Sequence, residues 1–248
     1  PCVKEGDAYA RGVRVAVLAV GHSYLEIIQP VTPSSPFAHH IEERGEGLHH
    51  VALWSDDADK DVKRLVDYGV FLDDNEPRDG FTGRLSFLHP TAFDGARIEV
   101  VQPEPGMAGE ARPSTSRASR IDHVVLRVPN VAAVSERMEK WFKIPTKRTF
   151  ERGEQQFAFL RPGDVIMEVI GPKARGETGS GVIAGLALEV TGIDELTEEL
   201  KAKGYPIGEP HAALQGGRIV SVHNTGACGV PLAFIDFTVS PGPAQREA

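Results

Sequence analysis

GEGLHHVALWSDD, residues 45–57, sets two adjacent histidines ahead of a short apolar run and a cluster of helix-capping residues. LHHVALW reads as a strand, and neighbouring side chains on a strand point to opposite faces. SDDADKDVKRLVDYG then reads as a helix. Ser55 or an Asp caps it, Ala58, Val62, Leu65 and Val66 form its apolar stripe, and Gly69 ends it. The face covered by a helix is the apolar one, which gives it Val51 and Leu53. His50, Ala52 and Trp54 take the opposite face. His50 is thus the working histidine, and His49 is an edge or capping residue at the mouth of the strand.

The same pattern recurs. RLVDYGV (64–70) parallels ELKAKGY (199–205), and RLSFLHPTAFDGARIEV (84–100) parallels RIVSVHNTGACGVPLAF (218–234), at an offset of 134–135 throughout. YLEIIQP (24–30) pairs with VIMEVIGP (165–172), and LHHVAL (48–53) with IDHVVL (121–126). PNVAAVSERMEKWF carries Val131, Val134, Met138 and Trp141 at helical spacing, and TGIDELTEELKAKG carries Ile193, Leu196 and Leu200 before Gly204. The repeating unit is strand, helix, three strands. The fold class is α+β, built from tandem βαβββ modules, the first lacking its first strand and helix. Residues 1–104 form one domain and 119–238 a second, divergent one. The Pro-, Gly- and Ser-rich stretch 105–118 reads as a linker and 239–248 as a frayed tail.

The chain has 248 residues, 41% hydrophobic and 25% charged, which is ordinary globular composition. Its net charge of −8 argues against a nucleic-acid surface. No apolar run approaches a membrane span and no signal peptide is evident. Cys2 and Cys228 have neither metal-knuckle nor redox spacing and read as free thiols in a reducing cytoplasm.

Two carboxylates fall in phase with His50. In ARIEV, Ile98 and Val100 face the helix, leaving Arg97 and Glu99 on the other side. In SYLEIIQP, Glu26 alternates with Leu25 and Ile27. A carboxylate inside an apolar strand is costly unless paired, protonated or bound to metal. One alone reads equally as an edge-strand charge; together with His50 the set reads as metal ligands. One imidazole and two carboxylates without a thiolate suit a divalent ion such as Co, Ni, Mn, Zn, Fe or Mg. Trp54 and Phe81 are placed to line a pocket, with burial in the core as the competing reading. His39, His40 and His89 read as surface or loop residues.

The GEGLHHVAL and IDHVVL strand starts, the GARIEV finish and the βαβββ repeat resemble the vicinal oxygen chelate superfamily. That group spans glyoxalase I, methylmalonyl-CoA epimerase, extradiol dioxygenases and bleomycin and fosfomycin resistance proteins. Residues 12–100 look most like the epimerase branch, and residues 120–237 like a divergent second domain. The resemblance implies a curved sheet around one divalent metal, with Glu26, His50 and Glu99 at ligand positions. A fourth ligand, a histidine on the first strand of module one, has no counterpart here. The gap from His123 to Glu168 is 45 positions, which, counted back from Glu26, runs past residue 1. The chain is then a fragment, or another chain supplies the strand, or the site has lost a ligand. An open sheet edge of this kind invites strand addition or a homodimer. In the second domain His123 and Glu168 match ligand positions but Gly185 and Ala233 do not, so that domain reads as metal-free. Ala10 stands where the epimerase branch has an acid/base Glu.

The expected function is a divalent-metal-dependent isomerase or lyase that stabilises an enolate or enediolate on a small carbonyl or thioester substrate. Glu99 is the catalytic candidate, and Arg97 and Trp54 are candidates to contact substrate. The alternatives are an Fe(II) dioxygenase of extradiol type and a non-catalytic small-molecule binding or resistance protein. A site in phase across strands needs no nucleic acid or membrane partner, and a cytoplasmic location is expected.

Overall fold

The computed structural model describes residues 1–8, 11–107, 117–173 and 180–240. Ala10, most of the expected linker (108–116) and the end of the expected tail (241–248) lie outside the described residues. The chain divides into two compact units. Unit 1 comprises Pro1–Leu48, Glu110–Asp122 and Gly185–Ala248, and unit 2 comprises His49–Gly109 and His123–Ala184. Each unit draws on both sequence halves.

The elements follow in chain order. β1 (Cys2–Ala8), β2 (Val13–Val20) and β3 (Ser23–Pro30) precede α1 (Pro36–Arg44). The second module is β4 (Val51–Trp54), α2 (Ala58–Asp67), β5 (Arg78–Asp79), β6 (Gly83–Phe87) and β7 (Ile98–Pro103). The third is β8 (Ala118–Arg127), α3 (Val131–Phe142), β9 (Thr146–Arg152), β10 (Gln155–Leu160) and β11 (Ile166–Pro172). The fourth is β12 (Val182–Val190), α4 (Ile193–Ala202), β13 (His211–Ala212), β14 (Arg218–Val222) and β15 (Leu232–Asp236). Each of these three modules has one architecture. The first strand pairs in parallel with the last, as β4 with β7, β8 with β11 and β12 with β15. The other two strands continue antiparallel, in the orders β4-β7-β6-β5, β8-β11-β10-β9 and β12-β15-β14-β13. The leading three strands form their own antiparallel sheet, β1-β2-β3, in which, among the described residues, β3 pairs with β2 alone. The tandem βαβββ fold, with a first module short of one strand and one helix, is therefore present. Among the described residues no helix is long and apolar enough to cross a membrane.

In unit 2 the helices form where the stripes predict. Asp57 caps α2, its Oδ1 accepting from Lys60 N at 3.0 Å, and Ala58, Val62 and Leu65 are buried. Val66, counted in the stripe from sequence, is 39% exposed. It sits one helical step beyond Leu65, at the margin of the buried face. α3 buries Val131, Val134 and Met138, and Trp141 meets Phe93 edge-on at 5.6 Å. Phe93, Leu65, Ile98, Leu126, Leu160 and Met167 belong to one continuous core.

In unit 1, β2 buries Val13, Val15, Val17 and Ala19. The start of α4 is satisfied from a distance. Gly192, at φ 71°, occupies the cap and has no side chain to offer. The carboxylate of Asp236, on β15, accepts from Ile193 N at 3.2 Å and from Thr238 N and Oγ1 at 2.8 and 2.6 Å. Burial by itself would raise the Asp236 carboxyl, but these hydrogen bonds outweigh it and hold it below the usual range.

Candidate active site

β4 enters its ladder at Val51, whose N–H donates to Arg97 O at 3.1 Å. Beyond that point the alternation holds: Leu53 is buried, while Ala52 and Trp54 are exposed. Leu48, His49 and His50 precede the strand and carry no ladder pairing. Strict alternation therefore does not govern them, and His49 does not turn to the face opposite His50. The two Nδ1 atoms lie 3.0 Å apart and the rings meet edge-on at 5.2 Å. This corrects the reading of His49 as a separate edge residue.

The next two groups are Glu99 of β7 and Arg97, the residue just before that strand. Ile98 and Val100 point into the core, as their phase predicts. Glu99 lies on the other side of the sheet, 4% exposed, paired across the ladder with Ala52 of β4 and Phe87 of β6. Its Oε2 is 3.5 Å from His50 Nε2. His50 also packs edge-on against the Phe87 ring at 5.1 Å. Arg97 lies over the same ring at 5.4 Å and donates to Asp73 Oδ2 at 2.9 Å. Its Nε is buried and makes no hydrogen bond among the described residues. Burial, with the nearby Arg97 charge adding, pushes the His50 imidazole down to about 4, so this ring is neutral near pH 7.

The separation can be set beside the spacing of two ligands on one cation. Two donor atoms each about 2.1 Å from one ion, at a tetrahedral angle, lie about 3.4 Å apart. The observed 3.5 Å matches that spacing and exceeds an ordinary hydrogen bond. A neutral imidazole and a buried carboxylate are donors that divalent ions accept. Glu26 lies on β3 in unit 1, whereas His50, Glu99, Arg97 and Trp54 lie in unit 2. Among the described residues no group of three or more His, Cys, Asp or Glu is gathered that could hold a metal ion. The structure thus brings together two members of the expected ligand set, His50 and Glu99. Trp54 is 45% exposed, which removes the core reading for that residue. Asp73 and Phe87 were not singled out from sequence. Asp73 stands 24 residues from Arg97 and no local pattern links the two.

The module repeat fixes where such a pair can occur. Ala52 pairs with Glu99 and His50 stands two residues earlier. Val125 pairs with Glu168 and His123 stands two residues earlier. Ala187 pairs with Ala233 and the residue two earlier is Gly185. The same two ladder positions hold His and Glu twice, then Gly and Ala. At the second pair, burial raises the Glu168 carboxyl against the opposing pull of His123.

Comparisons with known proteins agree with this architecture. The family profile described as Glyoxalase/Bleomycin resistance protein/Dioxygenase superfamily matches residues 3–88. An ethylmalonyl-CoA/methylmalonyl-CoA epimerase of Cereibacter sphaeroides is 31% identical over 99 residues, covering 39% of this chain and 74% of that protein. Bacillus subtilis YqjC, itself uncharacterized, is 34% identical over 93 residues; the match spans 37% of this chain and 66% of YqjC, just under two thirds of its length. A variant of 4-hydroxymandelate synthase from Streptomyces coelicolor superposes with a TM-score of 0.67 at 18% identity, covering 95% of this chain and 85% of that one. That last likeness is one of fold. Repeated modules, a His–Glu pair at a fixed ladder position and relatives of this kind together place the chain in the glyoxalase/bleomycin resistance protein/dioxygenase superfamily.

Proposed function

We propose that this chain is a divalent-metal-dependent isomerase or lyase that moves a proton on the carbon next to a carbonyl, in the manner of an epimerase or glyoxalase. The observation that carries the reading is the 3.5 Å separation of two buried donors, His50 Nε2 and Glu99 Oε2. His50 and Glu99 would be the residues of unit 2 that hold the ion. The bound ion would supply Lewis acidity that stabilises an enolate or enediolate. Glu99 is the base: its carboxylate removes the proton beside the carbonyl and returns it. Arg97, tethered by Asp73 and resting on Phe87, offers its guanidinium charge to an anionic part of the substrate. Trp54 flanks that substrate from the end of β4. The similarity to an acyl-CoA epimerase favours a thioester substrate with an acidic α-carbon. A homodimer through an open sheet edge belongs to the same proposal.

The test is deuterium uptake. Purified protein loaded with Co(II) and given methylmalonyl-CoA in deuterated water is expected to bind about one metal per chain and to place deuterium on the α-carbon. Absence of stoichiometric metal, or of exchange with every thioester and α-keto acid tried, overturns the reading. Bound iron with oxygen uptake would select a dioxygenase in its place. Glu99→Gln is expected to lower exchange by about 10²–10⁴-fold while metal is still retained, as measured by isotope incorporation and elemental analysis. Unchanged exchange removes Glu99 from the role of base.

A further inference from the structure

The third module differs from the second and fourth in its outermost strand. β5 and β13 are two residues long, whereas β9 runs over Thr146–Arg152 and pairs along the length of β10. The side of this sheet turned to α3 buries Leu126, Val169, Ala158 and Leu160. The other side carries Phe157 and Phe159 of β10, which pair across the ladder with Phe150 and Arg148 of β9. The three rings lie nearly parallel. Phe150 stacks on Phe157 at 4.6 Å and 7°, and meets Phe159 at 5.7 Å and 15°. The Arg148 guanidinium lies over the Phe150 ring at 5.6 Å. All three rings are only half-buried, and Arg148 is exposed. The row is particular to this module. The places that Phe159 and Phe157 take beside β11 hold Phe87 and Leu85 in the second module and Ser221 and Ile219 in the fourth.

The charges around the rings also lack counterparts. Arg84, Arg97 and Arg137 of the same unit each hold an aspartate. Arg148 holds no carboxylate among the described residues, and neither does Arg127, which ends the row Phe150, Phe157, Ile170. Glu168 shares this side of the sheet but stands two strands from Arg148, about 10 Å, with Phe159 between them. We infer that this face of the third module binds a small planar aromatic anion, whose ring extends the row of phenylalanine rings and whose carboxylate pairs with Arg148. Parallel rings with open faces select a flat aromatic ligand over a saturated one. A guanidinium without a carboxylate partner selects for negative charge and takes a carboxylate through two parallel hydrogen bonds. Neither selection involves a metal ion. The face is separate from that of Glu99: Ile98 and Val100 of β7 share one core with Val124 and Leu126 of β8, so the two faces turn away from that core on different sheets.

The experiment titrates the full chain, stripped of metal by chelation, with 2-naphthoate in a calorimeter. Its outcome is therefore independent of the reaction proposed above. One molecule per chain is expected to bind, with Kd in the range of about 0.1–1 mM. 2-Naphthylmethanol, which lacks the charge, and cyclohexanecarboxylate, which lacks the aromatic ring, are each expected to bind about tenfold more weakly. Arg148→Met is expected to weaken 2-naphthoate about tenfold and to leave 2-naphthylmethanol unchanged, and Phe150→Leu to weaken both. Circular dichroism confirms that the variants are folded; Arg148 is exposed, so its replacement reads the site even where Phe150→Leu disturbs the sheet. Absence of stoichiometric binding at about 10 mM probe overturns the inference, as does a 2-naphthoate affinity that Arg148→Met leaves unchanged. A loss of binding in Arg97→Met but not in Arg148→Met places the probe at the other arginine and overturns it as well.

Discussion

Arg97 shows how a single side chain is held in place. Asp73 takes one guanidinium nitrogen, the Phe87 ring supports the plane, and Nε is buried without a partner among the described residues. A buried polar atom left unmade costs on the order of 1–3 kcal/mol, so this arrangement is maintained against its own stability. Removal of the tether frees the side chain to find water. Asp73→Ala is therefore expected to raise KM for an anionic substrate about tenfold, with kcat reduced much less, in steady-state assays of the exchange reaction; a loss confined to kcat would mean that Asp73 acts elsewhere. At this scale the side of the sheet taken by Glu99 was legible, because alternation along a regular strand assigns faces. His49 was not, because it precedes the ladder that enforces alternation. Asp73 was not, because only the fold brings residues 73 and 97 together.

At the scale of elements, caps separate what is local from what is distant. α1 carries its signals in the local sequence. Ser35 accepts from Phe37 N at 3.3 Å, Pro36 follows in the first turn, and the chain leaves at Gly45. His89 and His223 occupy matching places in the repeat, and both cap a short turn through Nδ1. They lie 2.8 and 2.9 Å from Thr91 Oγ1 and Thr225 Oγ1. The cap of α4 has no such local signature, since Asp236 arrives from 43 residues away. Its folded-state carboxyl lies below the usual range. The unfolded chain therefore binds the proton more readily, and the stabilisation is fully present above the unfolded value near 4. It is lost as pH falls through the folded value. Asp236→Ala is expected to cost about 1–3 kcal/mol at pH 7, and the gap from wild type is expected to narrow toward pH 3, as read by urea denaturation at both pH values. A gap independent of pH would mean that packing, not charge, carries the effect.

On the scale of the whole molecule, the units define which substitutions act together. Both tryptophans, Trp54 and Trp141, belong to unit 2, so fluorescence reports on that unit. Phe93 is fully buried there and touches Trp141 and Phe142. Phe93→Ala is expected to destabilise unit 2 by about 3–5 kcal/mol, seen as a lower urea midpoint in tryptophan fluorescence; a shift below about 1 kcal/mol would show that the core refills. Three complete βαβββ modules and a shortened one follow from sequence alone, because strand and helix periods, caps and turns are local properties that a repeat displays several times. The face carrying Glu99 follows in the same way. Tertiary structure decided the rest: which segments share a compact unit, how close His50 stands to Glu99, and that His49 turns toward His50. Those outcomes depend on contacts between residues far apart in the chain and on backbone outside regular strands, where no periodic pattern records where a side chain will point.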